Sequence, residues 1–139
     1  MNAYVKRDLY LNRLIVRRDN GQIKAITGPR RSGKSFLLDP IYKDYLLSKG
    51  VPEDNIIIIS FDIEDEDTPQ ELLDREKLKE YLYSRIASQT ENYYVFLDEI
   101  QEVDGFERIV NGLNKRQNVD VYVTGSNSKF LSSEINTIF

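Results

Sequence analysis

The sequence of 139 residues predicts an α/β fold in which helices cover both faces of a mostly parallel sheet. Three observations lead to this prediction. Short β-branched or aromatic runs alternate with segments whose apolar residues recur at helical spacing. Residues 55–61, NIIIISF, are almost continuously apolar, as strands of covered parallel sheets are. The glycine-containing segment GPRRSGKS stands between the first strand and the next helix. We therefore expect a ligand at the carboxyl ends of the strands.

The first half of the chain supplies two strands and two helices. Residues 4–18 predict a helix, and residues 23–27 predict a buried first strand. Residues 35–47 predict a second helix, which Pro40 should kink because proline removes a main-chain hydrogen bond. Residues 55–61 are the second strand. The inward residues of the first helix are predicted to be Val5 and Leu9, with Leu11, Leu14 and Ile15 as further candidates.

The second half adds two helices and two strands. After an acidic loop at residues 62–67, Thr68 begins the pattern of a capping box for a third helix. Residues 93–97 predict the third strand and residues 119–124 the fourth. Asp104 is the predicted cap of the helix between them. The expected face of the first of these helices is Leu78, Tyr81, Leu82, Arg85 and Ile86, with Arg85 as the polar exception. The expected core face of the second is Phe106, Ile109, Val110 and Leu113.

Composition narrows the chemistry that the chain can perform. It contains no cysteine and no histidine, which excludes disulfides, thiol catalysis and histidine-based triads and removes the usual zinc ligands. Carboxylates, lysines and hydroxyls remain as reactive groups. No apolar run approaches the length of a bilayer span, and the first residues lack the apolar centre of a secretory signal. These features agree with a cytoplasmic location.

Charge is distributed unevenly along the chain. The net charge is −4, but residues 1–34 carry nine lysines and arginines and only two aspartates. One interpretation is a basic N-terminal helix that lies against an acidic body. The other is a basic face for nucleic acid, which no cluster of basic and aromatic residues supports. A nucleic-acid partner remains an alternative that the charge distribution does not support.

GPRRSGKS fits the phosphate-binding pattern G-x-x-x-x-G-K-[ST] and has the strand-before, helix-after context that the pattern requires. Gly28 and Gly33 let main-chain N–H groups approach phosphate oxygens. Lys34 is expected to bridge the β- and γ-phosphates of a nucleotide, and the hydroxyl of Ser35 to bind Mg²⁺. Arg30 and Arg31 are interpreted as solvated or weakly phosphate-facing. The whole predicted binding segment is Gly28, Pro29, Arg30, Arg31, Ser32, Gly33, Lys34, Ser35 and Phe36.

Two further strand ends carry candidate catalytic residues. The third strand runs into Asp98 and Glu99, the pattern of a Walker B element. Asp98 is expected to orient Mg²⁺ through its water shell, and Glu99 to activate water as general base. Thr124 and Asn127, at the end of the fourth strand, are candidates for sensing the γ-phosphate or the water. An ordinary turn with a serine cap explains that segment equally well.

GPRRSGKS, VFLDEIQEV and VYVTGSNSKFLSSE, in this order, resemble the prokaryotic AAA-domain ATPases of the additional-strand catalytic-glutamate group. The resemblance implies ATP as nucleotide, a sheet ordered 5-1-4-3-2, and the phosphate, magnesium and water-activating roles given above. It also implies a C-terminal domain of unknown function in the usual family member. Residues 1–139 would form one ATPase domain, with an N-terminal helix at about residues 4–18 and a nucleotide-binding core at residues 22–139.

Under this interpretation the chain stops before strand five. The first strand is then a sheet edge, which predicts self-association into a homo-oligomer or marginal stability. The favoured function is Mg²⁺-dependent ATP hydrolysis that drives conformational change. The alternative is a nucleotide-gated interaction module with little hydrolysis. A GTPase is disfavoured because Gln117 stands where the guanine-reading motif has aspartate, and a small-molecule kinase because no arginine-rich lid is present.

Overall fold

Four strands form one parallel sheet. The computed structural model describes residues 3–131, with side chains from Asp8 onward. The strands are β1 (Lys24–Thr27), β2 (Ile56–Ser60), β3 (Tyr93–Asp98) and β4 (Val119–Gly125). They lie in the order β1-β4-β3-β2, and each neighbouring pair is parallel. This is the order predicted for these four strands, and the fifth position of that order lies outside the described residues.

Helices connect the strands and return the chain to the same end of the sheet. They are α1 (Ala3–Val16), α2 (Lys34–Phe36), α3 (Lys43–Ser48), α4 (Arg75–Arg85), α5 (Phe106–Asn114) and α6 (Ser128–Leu131). Strand and helix alternate along the chain as predicted. Such crossovers between parallel strands place helices on the faces of the sheet.

Pro40 interrupts the predicted helix at residues 35–47, as expected. The segment Leu37–Tyr42 between α2 and α3 is wound as a π-helix, and within it Asp39 leaves the helical region with φ −132° and ψ 110°. The Asp39–Pro40 peptide bond is cis. Because proline has no N–H to donate and crowds the preceding turn, the helix cannot continue through it unchanged.

Each face of the sheet carries its own apolar core. Along β3, Tyr94 and Phe96 point to the cluster that contains residues of α1 and of the α2–α3 segment. The alternate residues Val95 and Leu97 point to the cluster that contains residues of α4 and α5. All six residues of β3 are buried, because helices cover the strand on both sides. The result is the predicted three-layer α/β/α arrangement.

The first helix buries fewer residues than its sequence predicts. Leu14 is fully buried and Leu11 and Ile15 are partly buried, but Leu9 is 48% exposed. The prediction that Leu9 points inward is wrong, because among the side chains described from Asp8 onward the buried residue of α1 is Leu14, near the end of the helix. Val5 lies outside the described side chains.

Both predicted helix caps are also wrong. The turn Gln70–Leu73 that follows Thr68 has no side-chain cap, and the hydroxyl of Thr68 donates to the carbonyl of Asp62. The helix α4 begins later, where the side chain of Asp74 accepts from the N–H groups of its first turn. Asp104 is exposed and pairs with Lys129, while the left-handed Gly105 precedes α5. The predicted inward faces of α4 and α5 are confirmed, with Tyr81 only partly buried.

Within residues 3–131, no helix combines the length and the apolar character that crossing a bilayer requires. Among the described strands, β1 and β2 are the edges of the sheet.

Candidate functional site

The segments with predicted chemistry meet at one edge of the sheet. Ser60, the last residue of β2, pairs in register with Asp98, the last residue of β3. Thr27, at the end of β1, pairs with Gly125 at the end of β4. Because all four strands are parallel, their carboxyl ends and the loops that follow share this edge.

Residues 28–33 form the loop that joins β1 to α2. Gly28 has φ 153° and Gly33 has φ 95°, a region that L side chains rarely adopt. A side chain at Gly28 would also lie 3.2 Å from the Oγ of Ser32. The two glycines of the phosphate-binding pattern are therefore required by the backbone of this loop.

Lys34 follows the loop and folds back over it. Its side chain is only 6% exposed, and its Nζ donates to the carbonyl oxygens of Gly28 at 2.7 Å and Pro29 at 2.8 Å. The same Nζ lies 3.6 Å from Oε1 of Glu99. A buried ammonium group therefore stands between the glycine loop and the end of β3, where it could neutralise an anion.

Asp98 is the centre of a cluster of oxygen atoms. Its Oδ2 accepts from the hydroxyl of Ser35 at 2.8 Å and from that of Ser60 at 3.1 Å. Its Oδ1 accepts from the hydroxyl of Thr124 at 2.6 Å. Ser35 is exposed, so the cluster is open to solvent on the side of the loop. Hydroxyl and carboxylate oxygens are ligands that suit Mg²⁺.

The described residues contain no group of three acidic, histidine or cysteine side chains that could hold a metal by themselves. This composition still fits Mg²⁺ at Asp98, because Mg²⁺ is commonly held by one or two protein oxygens together with water and substrate phosphates. The pair formed by Ser35 and Asp98 provides such oxygens at the mouth of the glycine loop.

Glu99, the first residue after β3, is fixed by hydrogen bonds to its main chain and to its side chain. Its backbone is left-handed, with φ 55° and ψ 49°, and its N–H donates to the hydroxyl of Thr124 at 2.9 Å. Its Oε2 accepts from Nε2 of Gln101 at 2.6 Å and from the hydroxyl of Ser126 at 2.7 Å. The residue is 4% exposed. One oxygen of the carboxylate, Oε2, therefore accepts two hydrogen bonds, and the other, Oε1, faces Lys34.

The loop arginines point to acidic partners. Arg30 forms ion pairs with Asp62 at 3.3 Å and with Glu102 at 3.1 Å. Arg31 pairs with Glu64 at 3.0 Å and is largely exposed. The prediction that these side chains are solvated or weakly phosphate-facing did not anticipate the acidic partners of Arg30, which come from the segments after β2 and β3.

The remaining candidates occupy different environments. Thr124 is fully buried and links Asp98 to the backbone of Glu99. Asn127 is exposed, and its Oδ1 accepts from the N–H of Phe130 at 3.0 Å in the manner of a helix cap. Phe36 is 46% exposed. The sensing role of Thr124 and Asn127 stays a prediction.

Sequence reasoning missed three residues whose side chains contact the carboxylates of Asp98 and Glu99: Ser60, Gln101 and Ser126. Ser60 carries a usable signal, because it ends an apolar strand in the way that Asp98 does. Gln101 and Ser126 carry none, since a glutamine in a turn and a serine in a loop are ordinary polar residues until the fold brings them to Glu99.

Comparison with known sequences identifies relatives that are longer than this chain. An uncharacterized protein of Haemophilus influenzae is 38% identical over 136 residues, which are 98% of this chain and 33% of that protein. An uncharacterized protein of Methanocaldococcus jannaschii is 38% identical over 117 residues, 84% of this chain and 24% of that protein. The chain thus spans a third or less of these relatives.

Two solved structures share the fold. The structure of Drosophila ORC bound to DNA superposes with a TM-score of 0.60 at 10% identity, covering 93% of this chain and 82% of that chain. The structure of C. elegans PCH-2 superposes with a TM-score of 0.57 at 14% identity, covering 91% and 37%. At these identities the likeness concerns the fold alone.

The family comparison covers most of the chain. The sequence model of the AAA domain matches residues 20–139, which include the glycine loop and the ends of β3 and β4. The family supports nucleotide binding and a function of the ATPase kind. The chain belongs to the AAA-domain family of P-loop ATPases.

Proposed function

We propose that this chain is the nucleotide-binding core of an ATPase that binds ATP with Mg²⁺ and hydrolyses it. The binding segment is residues 28–36, and the water-activating residue is Glu99. Residues 1–139 act as one ATPase domain under this proposal. The proposal covers nucleotide binding and hydrolysis. It assigns no nucleic-acid partner and no assembly with further copies of the chain.

The observation that carries the proposal is the approach of two motifs that are distant in sequence. Ser35 donates to Asp98 at 2.8 Å, and Nζ of Lys34 lies 3.6 Å from Glu99. A phosphate-binding loop and a pair of carboxylates therefore face one another across a few ångströms. Hydrolysis of a phosphoanhydride needs this combination, namely cations and N–H groups for the phosphates and a base for water.

Each residue has a distinct part in the proposed reaction. The N–H groups of the loop and the ammonium of Lys34 bind and orient the phosphates. Ser35 and Asp98 would hold magnesium, which when bound neutralises charge on the phosphate oxygens. Glu99 accepts a proton from the attacking water through Oε1, the oxygen that faces Lys34. Thr124 fixes the carboxylate of Asp98 and the main chain of Glu99 through its hydroxyl.

A second candidate function is a nucleotide-gated interaction module. It is favoured by the ion pairs of Arg30 and Arg31, which tie the glycine loop to the acidic segment at residues 62–67. A nucleotide that competes for these arginines would release that segment for a partner. This function uses the same binding residues and needs no hydrolysis.

The deciding experiment compares phosphate release by the parent chain with that of Glu99→Gln. Loss of a general base should lower turnover by about 100- to 10,000-fold. Binding of a fluorescent ATP analogue should be retained, since Glu99 is not a phosphate ligand in the proposal. Glu91→Gln is the matched control, because Glu91 is exposed and lies at the opposite end of β3.

Equal turnover by the parent chain and Glu99→Gln would remove the proposed hydrolysis. Tight ATP binding without any phosphate release by the parent chain would favour the gated module instead. Failure of the parent chain to bind ATP in the presence of Mg²⁺ would remove both candidates.

A further inference from the structure

Gln101 combines deep burial with an incomplete set of hydrogen bonds. It is 3% exposed and lies in the short 3₁₀ turn Ile100–Glu102 directly after Glu99. Its Nε2 donates to Oε2 of Glu99 at 2.6 Å, while its Oε1 is buried and accepts no hydrogen bond from residues that the structure describes. Because an unpaired buried acceptor is unfavourable, its presence needs an explanation.

The contact with Glu99 provides that explanation. Rotating the amide of Gln101 by half a turn would place its oxygen against the carboxylate oxygen, and two acceptors so close would repel. The donor end must therefore face Glu99. The acceptor end is then left where the described residues offer no donor, so the amide is oriented at the expense of its own second hydrogen bond.

The turn that carries Gln101 is fixed at both of its ends. The N–H of Glu102 donates to the carbonyl of Glu99 at 3.2 Å, and the side chain of Glu102 pairs with Arg30 of the glycine loop at 3.1 Å. Ile100, between them, is fully buried. The amide is therefore presented to Glu99 from a rigid part of the backbone that is tied to the phosphate loop.

Ser126, the residue directly after β4, completes the arrangement. Its hydroxyl donates to the same Oε2 of Glu99 at 2.7 Å. Two donors thus occupy Oε2, whereas Oε1 faces Lys34 at 3.6 Å, beyond hydrogen-bond distance. The two oxygens of one carboxylate are made unequal, and only Oε1 keeps its lone pairs available toward the glycine loop.

We propose that Gln101, together with Ser126, is a positioning residue that immobilises Oε2 of Glu99 and so selects Oε1 as the proton acceptor. This inference rests on the proposed hydrolysis. Gln101 touches neither the phosphates nor water in this role and acts only through Glu99. A misplacement of the reacting group by about 1 Å can cost about 100-fold in rate, so loss of these donors affects turnover more than binding.

The test uses Gln101→Met, which keeps the length of the side chain and fills the same buried space without a donor. We expect kcat to fall about 10- to 100-fold while the Kd for a fluorescent ATP analogue stays within about twofold. Gln117→Met is the matched control, because Gln117 is exposed in the turn before β4. Ser126→Ala removes the second donor from a less buried position and should lower kcat in the same way if the first variant does not fold.

A spectroscopic measurement tests the contact without turnover. The side-chain amide signals of Gln101, assigned by their loss in Gln101→Met, should move when Glu99 is replaced by glutamine, because a charge-assisted hydrogen bond is removed. Signals that do not respond would overturn the contact. Unchanged kcat in both Gln101→Met and Ser126→Ala would overturn the positioning role and leave the proposed hydrolysis standing. Absence of phosphate release by the parent chain would overturn the hydrolysis, and the role with it.

Discussion

The two ends of the sheet each bring a buried lysine to a carboxylate, and they do so in opposite ways. At the amino end, Lys24 of β1 donates to Asp120 of β4, and both side chains are at most 3% exposed. At the carboxyl end, Lys34 stands 3.6 Å from Glu99, and both are about equally buried. The difference lies in how completely the hydrogen-bond donors around each carboxylate satisfy its two oxygens.

The amino-end network is closed. Besides Lys24, Asp120 accepts from the hydroxyl of Tyr122 at 2.6 Å and from the N–H of Asp19 at 2.8 Å. The hydroxyls of Tyr122 and Tyr42 form a further hydrogen bond of 2.6 Å. Every side-chain group of this network is bonded to another member of it. Such a network rigidifies the fold but offers no group to a ligand.

The carboxyl-end network is open. Lys34 donates to two main-chain carbonyls, and the donors that reach the Glu99 carboxylate from the described residues bind Oε2. The same part of the chain offers no donor to Oε1 of Gln101. Ser35, which donates to Asp98, is exposed. The comparison teaches that burial and charge pairing alone do not identify a functional site. Unused hydrogen-bonding capacity at a solvent-accessible edge is the feature that separates the two ends.

The largest effect is expected at the closed end. Lys24→Met leaves Asp120 as an uncompensated buried charge, which should lower the free energy of unfolding by about 3–5 kcal/mol. Urea unfolding monitored by circular dichroism measures this. Lys77→Met, on the exposed side of α4, is the control and should change stability by less than about 0.5 kcal/mol.

The double variant Lys24→Met with Asp120→Asn sharpens the same prediction. It removes both charges but keeps an acceptor for Tyr122, so it should be more stable than Lys24→Met alone. Where it folds, it should bind ATP as the parent chain does, because the network lies at the amino end. A loss from Lys24→Met no larger than that from Lys77→Met would show that the amino-end pair does not hold the fold together.

At the open end, Lys34→Ala should mainly affect binding. Hydrogen bonds to charged groups contribute about 1.5–3 kcal/mol, so affinity for a fluorescent ATP analogue should fall about 10- to 100-fold. The free energy of unfolding should change less than in Lys24→Met, because Nζ of Lys34 lies 3.6 Å from Glu99 whereas Lys24 donates a hydrogen bond directly to Asp120. Lys115→Ala, in the exposed segment after α5, is the control. Unchanged affinity in Lys34→Ala would refute the assignment of the glycine loop.

Much of the fold follows from local patterns in the sequence. The four strands and the inward faces of α4 and α5 were predictable because apolar periodicity reports directly which side chains are buried. The kink at Pro40 followed from the missing N–H. The cap predicted at Thr68 is wrong because α4 begins only at Arg75, with Asp74 as its cap, and the hydroxyl of Thr68 bonds to the carbonyl of Asp62 instead.

The candidate site also contains residues that a local motif predicts and residues that only the fold brings together. Gly28, Lys34 and Ser35 form a contiguous pattern whose spacing carries the chemistry, so they were predictable. Gln101 and Ser126 reach Glu99 only because β3 and β4 are neighbours and the turn after β3 folds back. The partners of Lys24 at the other end were equally hidden, since Asp120 is 96 residues away in sequence. Contacts made by the fold itself leave no periodic signal.

The smallest effect on stability is expected at Tyr94, which joins the amino-end network through Asp19. Its hydroxyl donates to Asp19 at 2.9 Å and accepts from Arg18 at 3.1 Å. Burial, with a further contribution from Asp19, raises the pKa of Tyr94 to about 12. The pKa of tyrosine in an unfolded chain is about 10, so the higher pKa in the folded state means that folding favours the protonated hydroxyl. Its contribution to stability is full below about pH 10 and is lost as the pH rises through about 12.

Tyr94→Phe should therefore reduce the dependence of stability on alkaline pH. At pH 7 the variant should lose about 1 kcal/mol, the usual contribution of a hydrogen bond. Between about pH 10 and 11 its free energy of unfolding should fall less steeply than that of the parent chain, since one group that loses its proton on unfolding is gone. Urea unfolding at a series of pH values measures both slopes. Equal slopes would mean that the hydroxyl of Tyr94 gains nothing from its place beside Arg18 and Asp19, and that the closed network ends at Asp120.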